Sequence, residues 1–473
     1  MDKDLMARQE ARDLCAQALA AQQILAGFPQ ERLDAICKAV AEAFAAQAAS
    51  LAKQACEETG FGNPEDKTEK NRFASQKVYE AIKDMKCVGV LKEDKGEKLW
   101  EIGVPVGVIG AIVPSTNPTS TVCYKALIAL KSGNTIVFSP HPKALNCTMR
   151  ATQVVMQAAR QAGAPEGAVS CLSMGAMAGC QELMAAPQVS LLLATGGPAM
   201  VRAAYSSGKP AIGVGAGNGP AYIHPSADIP HALACIAKSK NFDYGTICAS
   251  EQSIIVEKST EQAVLAEAKR QGFYLMDEKE AGCLAKLLFK PNGTLNPDIV
   301  GKCACTLAKK AGFSVPEGTK ILMAREQQAG PTRPYSMEKL CPVLAFFVME
   351  SEDAVLAKAI EVLSHEGSGH TFAIHARQEQ VVRKFSLQIP VSRFLVNTPA
   401  ALGGIGATTA LFPALTLGCG AVGGSSTSNN ISPMDLVNIR RVAWGKEEEK
   451  GSFPEEETLV RLITSKILER LGG

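Results

Sequence analysis

A chain of 473 residues is longer than one hydrophobic core ordinarily serves, so two or three domains are expected. The composition is that of a soluble globular enzyme, with 46% hydrophobic residues, 20% charged residues and a formal net charge of +2. Such a near-neutral balance offers no footprint for nucleic acid or an anionic membrane, and no run approaches the roughly 20 apolar residues of a membrane span, which leaves small molecules as the expected partners.

The first residues, Met1-Asp2-Lys3-Asp4-Leu5-Met6, run straight into a helical pattern and lack the apolar core of a signal peptide. Residues 7–53 carry Leu, Ile and Phe at helical spacing, broken once at Gly27-Phe28-Pro29, and predict two long surface helices. After a turn at Gly60-Phe61-Gly62-Asn63-Pro64, residues 65–83 predict another helix. From Trp100 the period changes: residues 101–113 are β-branched and punctuated by Gly up to Pro114, which reads as strand, turn, strand. An alternation follows. Helices over 121–131, 144–162 and 198–206, with a short one between, alternate with apolar strands over 135–138, 169–172, 190–194 and 211–214. This predicts βαβ units on a parallel sheet, with ligands at the carboxyl ends of its strands. A second α/β series spans 253–416, with strands near Ile321, 345–349, 371–374 and 392–396, and meets the first near residues 241–248. Beyond Trp444-Gly445 lies a charged linker, 446–454. The last segment, 455–473, repeats Leu459, Ile463, Ile467 and Leu471 every four residues, with Val460 and Leu468 alongside, as one apolar helical stripe.

Cys248 is the candidate nucleophile. It follows the turn Gly245-Thr246-Ile247 and precedes the β-branched run Ser253-Ile254-Ile255-Val256, where a thiolate can be held between loop and strand; the bland alternative is a small buried hydrophobe. Leu193-Ala194-Thr195-Gly196-Gly197-Pro198 ends a strand and opens a helix, so its backbone N–H groups suit a dinucleotide pyrophosphate, or simply make a tight turn. Gly213-Val214-Gly215 begins a second Gly-rich strand end, readable as a ligand loop or a bulge. In Pro114-Ser115-Thr116-Asn117-Pro118 the Asn carboxamide can donate to an oxyanion or form an Asx turn. Glu338 and His370 taken alone read as surface or satisfied core residues. The cysteines, fifteen and thus odd in number, show no framework spacing and argue for a reducing cytosol. Cys303 and Cys305 are the one close pair and lack a second pair at zinc-ligand distance, so no metal site is expected.

Together these stretches resemble the aldehyde dehydrogenase superfamily, and within it the CoA-acylating members that also form the amino-terminal half of bifunctional alcohol/aldehyde dehydrogenases. The likeness is carried by Glu65-Asp66-Lys67 with Lys70-Asn71, Val113 through Ser120, Phe138-Ser139-Pro140-His141-Pro142, Ala194 through Pro198, the stretch from Tyr205 to Asn218, Ile247 through Gln252, Glu338-Lys339-Leu340, Val396-Asn397-Thr398-Pro399 with Gly403-Gly404-Ile405-Gly406, and Leu417-Gly418-Cys419-Gly420. It implies an α/β fold with a Rossmann-like cofactor domain (1–96 and 109–240), an α/β catalytic domain (241–420) and a β-hairpin oligomerisation element (97–108 and 421–445). The free edge of that hairpin would pair with another subunit, giving a homodimer or a dimer of dimers.

The resemblance also implies roles. Cys248 attacks an aldehyde, Asn117 and the Cys248 N–H hold the oxyanion, and hydride leaves to a nicotinamide to give a thioester. Glu338 matches the glutamate that binds the nicotinamide ribose, and Thr195, Gly196, Gly197 and Pro198 lie on the pyrophosphate path. Pro114, Ser139, Pro140, His141, Gly213, Val214 and Gly215 complete the expected cofactor residues. His370 is the candidate for proton exchange with Cys248 or CoA. Two departures are informative. Val214 stands where hydrolytic members carry the glutamate that activates water, so the thioester loses its hydrolytic base and awaits coenzyme A, a far more acidic nucleophile. Ser139-Pro140-His141-Pro142 replaces Lys-Pro-x-Glu, which removes the carboxylate that repels a 2′-phosphate: NAD is the expected cofactor, with NADP left open. The spacing of the Asn117 motif differs by one residue from the hydrolytic pattern.

Three readings of the tail stand side by side: a helix docked on its own enzyme, the stub of a fusion linker, or a segment that resembles the encapsulation peptides of bacterial microcompartments. The last is favoured because a polar linker with a terminal amphipathic helix suits a tether. It implies a cytoplasmic enzyme inside a microcompartment for propanediol, ethanolamine or choline, with shell proteins as partners through 455–473 and propionaldehyde or acetaldehyde as substrate. The competing functions are a hydrolytic aldehyde dehydrogenase that gives the free acid, and an inactive shell-associated assembly protein.

Overall fold

The computed structural model describes residues 2–445 and 456–471. Along the chain its strands are β1 (Gly89–Asp94), β2 (Leu99–Pro105), β3 (Val108–Ile112), β4 (Thr135–Ser139), β5 (Val169–Cys171), β6 (Val189–Thr195), β7 (Ala211–Val214), β8 (Gly219–Ile223), β9 (Glu251–Glu257), β10 (Phe273–Leu275), β11 (Ile321–Arg325), β12 (Val343–Met349), β13 (Gly369–His375), β14 (Val391–Val396) and β15 (Val437–Ala443). They form three sheets. One is parallel in the order β5-β4-β3-β6-β7, one is parallel in the order β10-β11-β12-β9-β8-β13-β14, and β1-β2-β15 is antiparallel.

The five-stranded sheet follows from its sequence. β3 and β4 are buried at every position, as strands covered by helices on both faces must be. Chain order runs outward from β3 to β4 and β5 on one side, then jumps to β6 and β7 on the other. The reversal opens a crevice at the carboxyl ends of β3 and β6, where α/β sheets bind ligands. Helix Pro118–Lys131 starts in that crevice and is buried along its whole length. Lys125 lies inside it without an acidic partner among the described residues; its ammonium donates to the carbonyls of Ile112 and Leu193 at 2.8 Å each, and burial pushes it down to about 7.

Several elements differ from expectation. Residues 7–53 belong to three helices, Lys3–Leu25, Gln30–Ala46 and Ala48–Thr59, the last two meeting at a 63° bend without Gly or Pro. Each buries one face, Leu33, Ile36, Val40 and Phe44 in the second. The helix expected over 65–83 is Pro64–Arg72, a π turn at Phe73–Lys77 and Val78–Ile82. The hairpin expected over 97–108 begins earlier, at β1, because β1 pairs with β2; Val108 instead opens β3 of the five-stranded sheet. β15 pairs with the other edge of β2, and Trp444 meets Trp100 edge to face at 4.9 Å. The boundary expected at residue 240 falls earlier too, since β8 pairs with β9 and β13 in the seven-stranded sheet and the chain crosses between sheets at residues 215–218.

No single helix among the described residues is long and apolar enough to cross a membrane. The expected linker 446–454 lies outside the described residues. The tail forms helix Glu456–Leu471, and Leu459, Val460, Leu462, Ile463 and Ile467 are 46–60% exposed, so the rest of the described chain leaves these five apolar residues uncovered.

Candidate active site

A cleft of about 510 Å³ opens between the carboxyl ends of β3, β6 and β7 and the loop that enters β9. That loop carries Cys248. It leaves helix Ile229–Asn241 through Asp243 and Tyr244, whose φ values of 47° and 50° lie in the left-handed region, and this pair of strained residues turns the chain back toward the cleft. Ser250 N–H donates to the Ile247 carbonyl at 3.0 Å, closing a turn around Cys248. Cys248 is half-buried and faces the cleft. Burial, then Glu338 and Cys419, push its thiol up to about 12, while Arg393 and its own backbone N–H act in the opposite direction.

Of the three residues expected to do chemistry, Asn117 lines the same cleft as Cys248 and His370 does not. Asn117 ends the segment after β3 and opens helix Pro118–Lys131; its Nδ2 reaches the Thr246 carbonyl at 3.3 Å and Thr116 Oγ1 at 3.2 Å. His370 opens β13, fully buried, with Nδ1 at 2.9 Å from Thr371 Oγ1 and Nε2 without a partner among the described residues. Burial and Arg393 hold the imidazole well below its usual pKa, so it is neutral at physiological pH. Gly217 lies between the His370 ring and the Cys248 backbone: a Cβ there would sit 1.9 Å from the Cys248 carbonyl oxygen and 3.1 Å from His370 Cε1.

Of the expected cofactor residues, Pro114, His141, Thr195, Gly196, Gly197, Pro198, Val214, Gly215 and Glu338 line the cleft, whereas Ser139, Pro140 and Gly213 do not. Ser139 and Pro140 are buried beside it, and Gly213 N–H donates to Tyr205 Oη at 2.9 Å. The donor set fits a dinucleotide. Helix Pro198–Tyr205 begins at Gly197 without a side-chain cap, Thr195 Oγ1 is buried with no partner among the described residues, and a Cβ at Gly197 would meet nothing within 4 Å. An uncapped helix N-terminus, an orphaned hydroxyl and open space suit a pyrophosphate. Glu338 Oε1 accepts from Gly217 N–H at 2.9 Å; burial and neighbouring Glu366 raise its carboxyl to about 8, with Gly217 N–H, Lys240 and Lys339 opposing.

Val214 closes β7 inside the cleft, 3% exposed, and the carboxylate that lines this cleft among the described residues is Glu338, whose Oε1 is engaged by Gly217 N–H. Sequence reasoning passed over Lys70 and Thr246, which line the cleft, and Asp243, which holds Lys70. Lys67 and Lys70 did belong to a motif that carried the resemblance, and three apart on a helix they share one face, but neither signal assigned them a role. All fifteen cysteines are free thiols, Cys303 half-buried and Cys305 exposed.

Comparison with known proteins places this geometry. The model of the aldehyde dehydrogenase family matches residues 4–272. The chain is 45% identical over 428 residues to the bifunctional aldehyde-alcohol dehydrogenase AdhE of Escherichia coli K12, covering 89% of this chain and 48% of that protein; it thus spans about half the length of the curated relatives it matches. Among solved structures it is similar to an acetylating aldehyde dehydrogenase from Geobacillus thermoglucosidasius, 48% identical with a TM-score of 0.93 over 95% of this chain and 100% of that one. A propionaldehyde dehydrogenase of Rhodopseudomonas palustris, solved with bound CoA and an acylated cysteine, is 28% identical with a TM-score of 0.85, covering 92% and 97%. One from the Clostridium phytofermentans fucose utilisation bacterial microcompartment is 27% identical with a TM-score of 0.83, covering 91% and 96%.

Proposed function

Because this chain belongs to the acylating aldehyde dehydrogenase family, we propose that it oxidises a short-chain aldehyde, propionaldehyde or acetaldehyde, to the acyl-CoA through a thioester on Cys248. The observation that carries the reading is Val214 in the cleft of Cys248, an apolar side chain where a hydrolytic enzyme needs a base. Val214 cannot activate water for attack on that thioester, and Glu338, the carboxylate of this cleft among the described residues, is held by Gly217 N–H, whereas a thiol needs little help.

In this mechanism Cys248 gives up its proton to water and, as the thiolate, adds through Sγ to the aldehyde carbon. Asn117 Nδ2 and the Cys248 N–H receive the oxyanion, and they gain strength only as charge develops there. A nicotinamide cofactor, expected to be NAD with NADP left open, would when bound supply the hydride acceptor. Thr195, Gly196, Gly197 and Pro198 would hold its pyrophosphate and Glu338 its ribose. The sulfur of coenzyme A then attacks the thioester and Cys248 leaves as the thiolate. His370, neutral, with Nε2 free of partners among the described residues and lying across Gly217 from the Cys248 backbone, supports a role in proton exchange with Cys248 or CoA. The uncovered helix Glu456–Leu471 and the likeness to a microcompartment enzyme support a cytoplasmic location inside such a compartment, with shell proteins as partners. The open edge of β1 supports a homodimer or dimer of dimers.

Incubation with propionaldehyde and NAD, with and without CoA, tests the reading. NADH formation that requires CoA is the expected result. Equal turnover without CoA would indicate hydrolysis, and none in either case, with Cys248 reduced, would indicate an assembly role.

A further inference from the structure

Next to the cleft, three segments distant in sequence are tied together at one buried carboxylate. Asp243 of the loop leading to Cys248 is fully buried. Its Oδ2 accepts from Lys67 Nζ at 2.8 Å, from Lys70 Nζ at 2.5 Å and from Thr246 Oγ1 at 2.6 Å, and its Oδ1 accepts from Asn63 N–H at 2.9 Å. The site is shaped for that carboxylate: Gly62 approaches it with φ +71°, and a Cβ there would land 1.7 Å from Oδ1.

Both lysines reach onward to the same strand end. Lys67 donates to the Thr116 carbonyl at 2.9 Å, and Lys70 donates to Asn117 Oδ1 at 2.6 Å and to Thr246 Oγ1 at 2.8 Å. Asp243, Thr246 and Asn117 thus take all three hydrogens of the Lys70 ammonium. One of these bonds decides how Asn117 stands. An amide flipped end for end would turn its NH₂ against an ammonium, two donors face to face, so the cation fixes Oδ1 inward. Nδ2 is left with two weak bonds, at 3.2 and 3.3 Å, that an oxyanion can replace. A cation on Oδ1 also polarises the carboxamide and makes its N–H groups stronger donors.

We propose that Lys70 is the positioning residue of the oxyanion hole, fixing Asn117 Nδ2 toward the thiohemiacetal oxygen and, through Asp243 and Thr246, locking that donor to the loop that carries Cys248. The assignment rests on Cys248 and Asn117 acting as described above, and its test separates the two.

The test is a double-mutant cycle on CoA-dependent NADH formation by the full chain. Lys70→Met is expected to lower kcat by about 10²-fold, the size of losing one oxyanion donor, with KM for aldehyde and for NAD within threefold. In an Asn117→Ala background the same replacement is expected to cost less than threefold, because the donor it positions is gone. Losses that multiply in the double variant, or a Lys70→Met defect confined to KM, would overturn the assignment and leave Asn117 in place. An Asn117→Ala variant with undiminished kcat would remove the premise itself. Where Lys70→Met does not fold, the cycle is run with Lys70→Arg, which keeps a cation opposite Asp243 and displaces its donors; the loss must again vanish without Asn117.

Discussion

Cys248 rests in the cleft as a thiol, since burial, Glu338 and Cys419 all disfavour its anion. The thiolate is the reactive form, and below a raised pKa its fraction climbs tenfold for each pH unit. Alkylation of Cys248 by iodoacetamide is therefore expected to accelerate steadily from pH 7 to pH 10 without a plateau. Oxidised nicotinamide cofactor brings a positive charge, so it should speed alkylation at fixed pH where the reduced form does not. A plateau below pH 8 in the free enzyme would contradict the assigned environment. Cys248, Asn117 and Val214 were legible from sequence because each sits in a contiguous motif at a strand end or turn. Lys70 was not, since its partner Asp243 lies 173 residues away and no periodicity links a helix in the first hundred residues to a loop beyond the first sheet.

Among the elements, the crossover at residues 215–218 matters most, because it joins the sheet that would carry cofactor to the sheet that carries the nucleophile. Gly217 is where its backbone presses on Cys248 while its N–H holds Glu338 at 2.9 Å. A methyl group there would meet the Cys248 carbonyl and the His370 ring, so Cys248 or the Gly217 backbone that holds Glu338 must shift. Gly217→Ala is expected to lower kcat at least tenfold and raise the KM for NAD, with a stability loss of about 1–3 kcal/mol measured by denaturant unfolding. Wild-type kinetics in that variant would show that the crossover tolerates movement and that Cys248 is placed by other contacts. The βα alternation around this crossover was readable because buried parallel strands are unbroken apolar runs. β1 was not: it is an exposed edge strand holding Lys92, Glu93 and Asp94, with an irregular register between Val90 and Lys92, and such charges protect an edge while disguising it as a loop. The bend at Gln47 escaped for another reason. It is imposed by packing of Leu33, Ile36 and Phe44 on one side and Leu51 on the other, with no local breaker to announce it.

At the scale of the whole molecule, the tail helix leaves its described apolar residues exposed together, whereas the long helices of the body each bury an apolar face. A free helix of 16 residues is marginal in water, so Glu456–Leu471 gains from any groove that covers it. Burying the exposed part of Leu459, Val460, Leu462, Ile463 and Ile467 is worth about 1 kcal/mol apiece. Ordering the helix and its linker offsets part of that sum, which suits a reversible tether rather than a permanent interface. The same accounting says the enzyme body loses little without the tail. Deleting residues 455–473 is expected to leave kcat and thermal midpoint unchanged and to abolish co-sedimentation with purified microcompartment shells, while the same segment fused to a soluble reporter should carry the reporter into the pellet. A midpoint lowered by several degrees, or lost activity, would mean instead that the stripe packs on the enzyme itself, and a reporter left in the supernatant would exclude the shell as its partner.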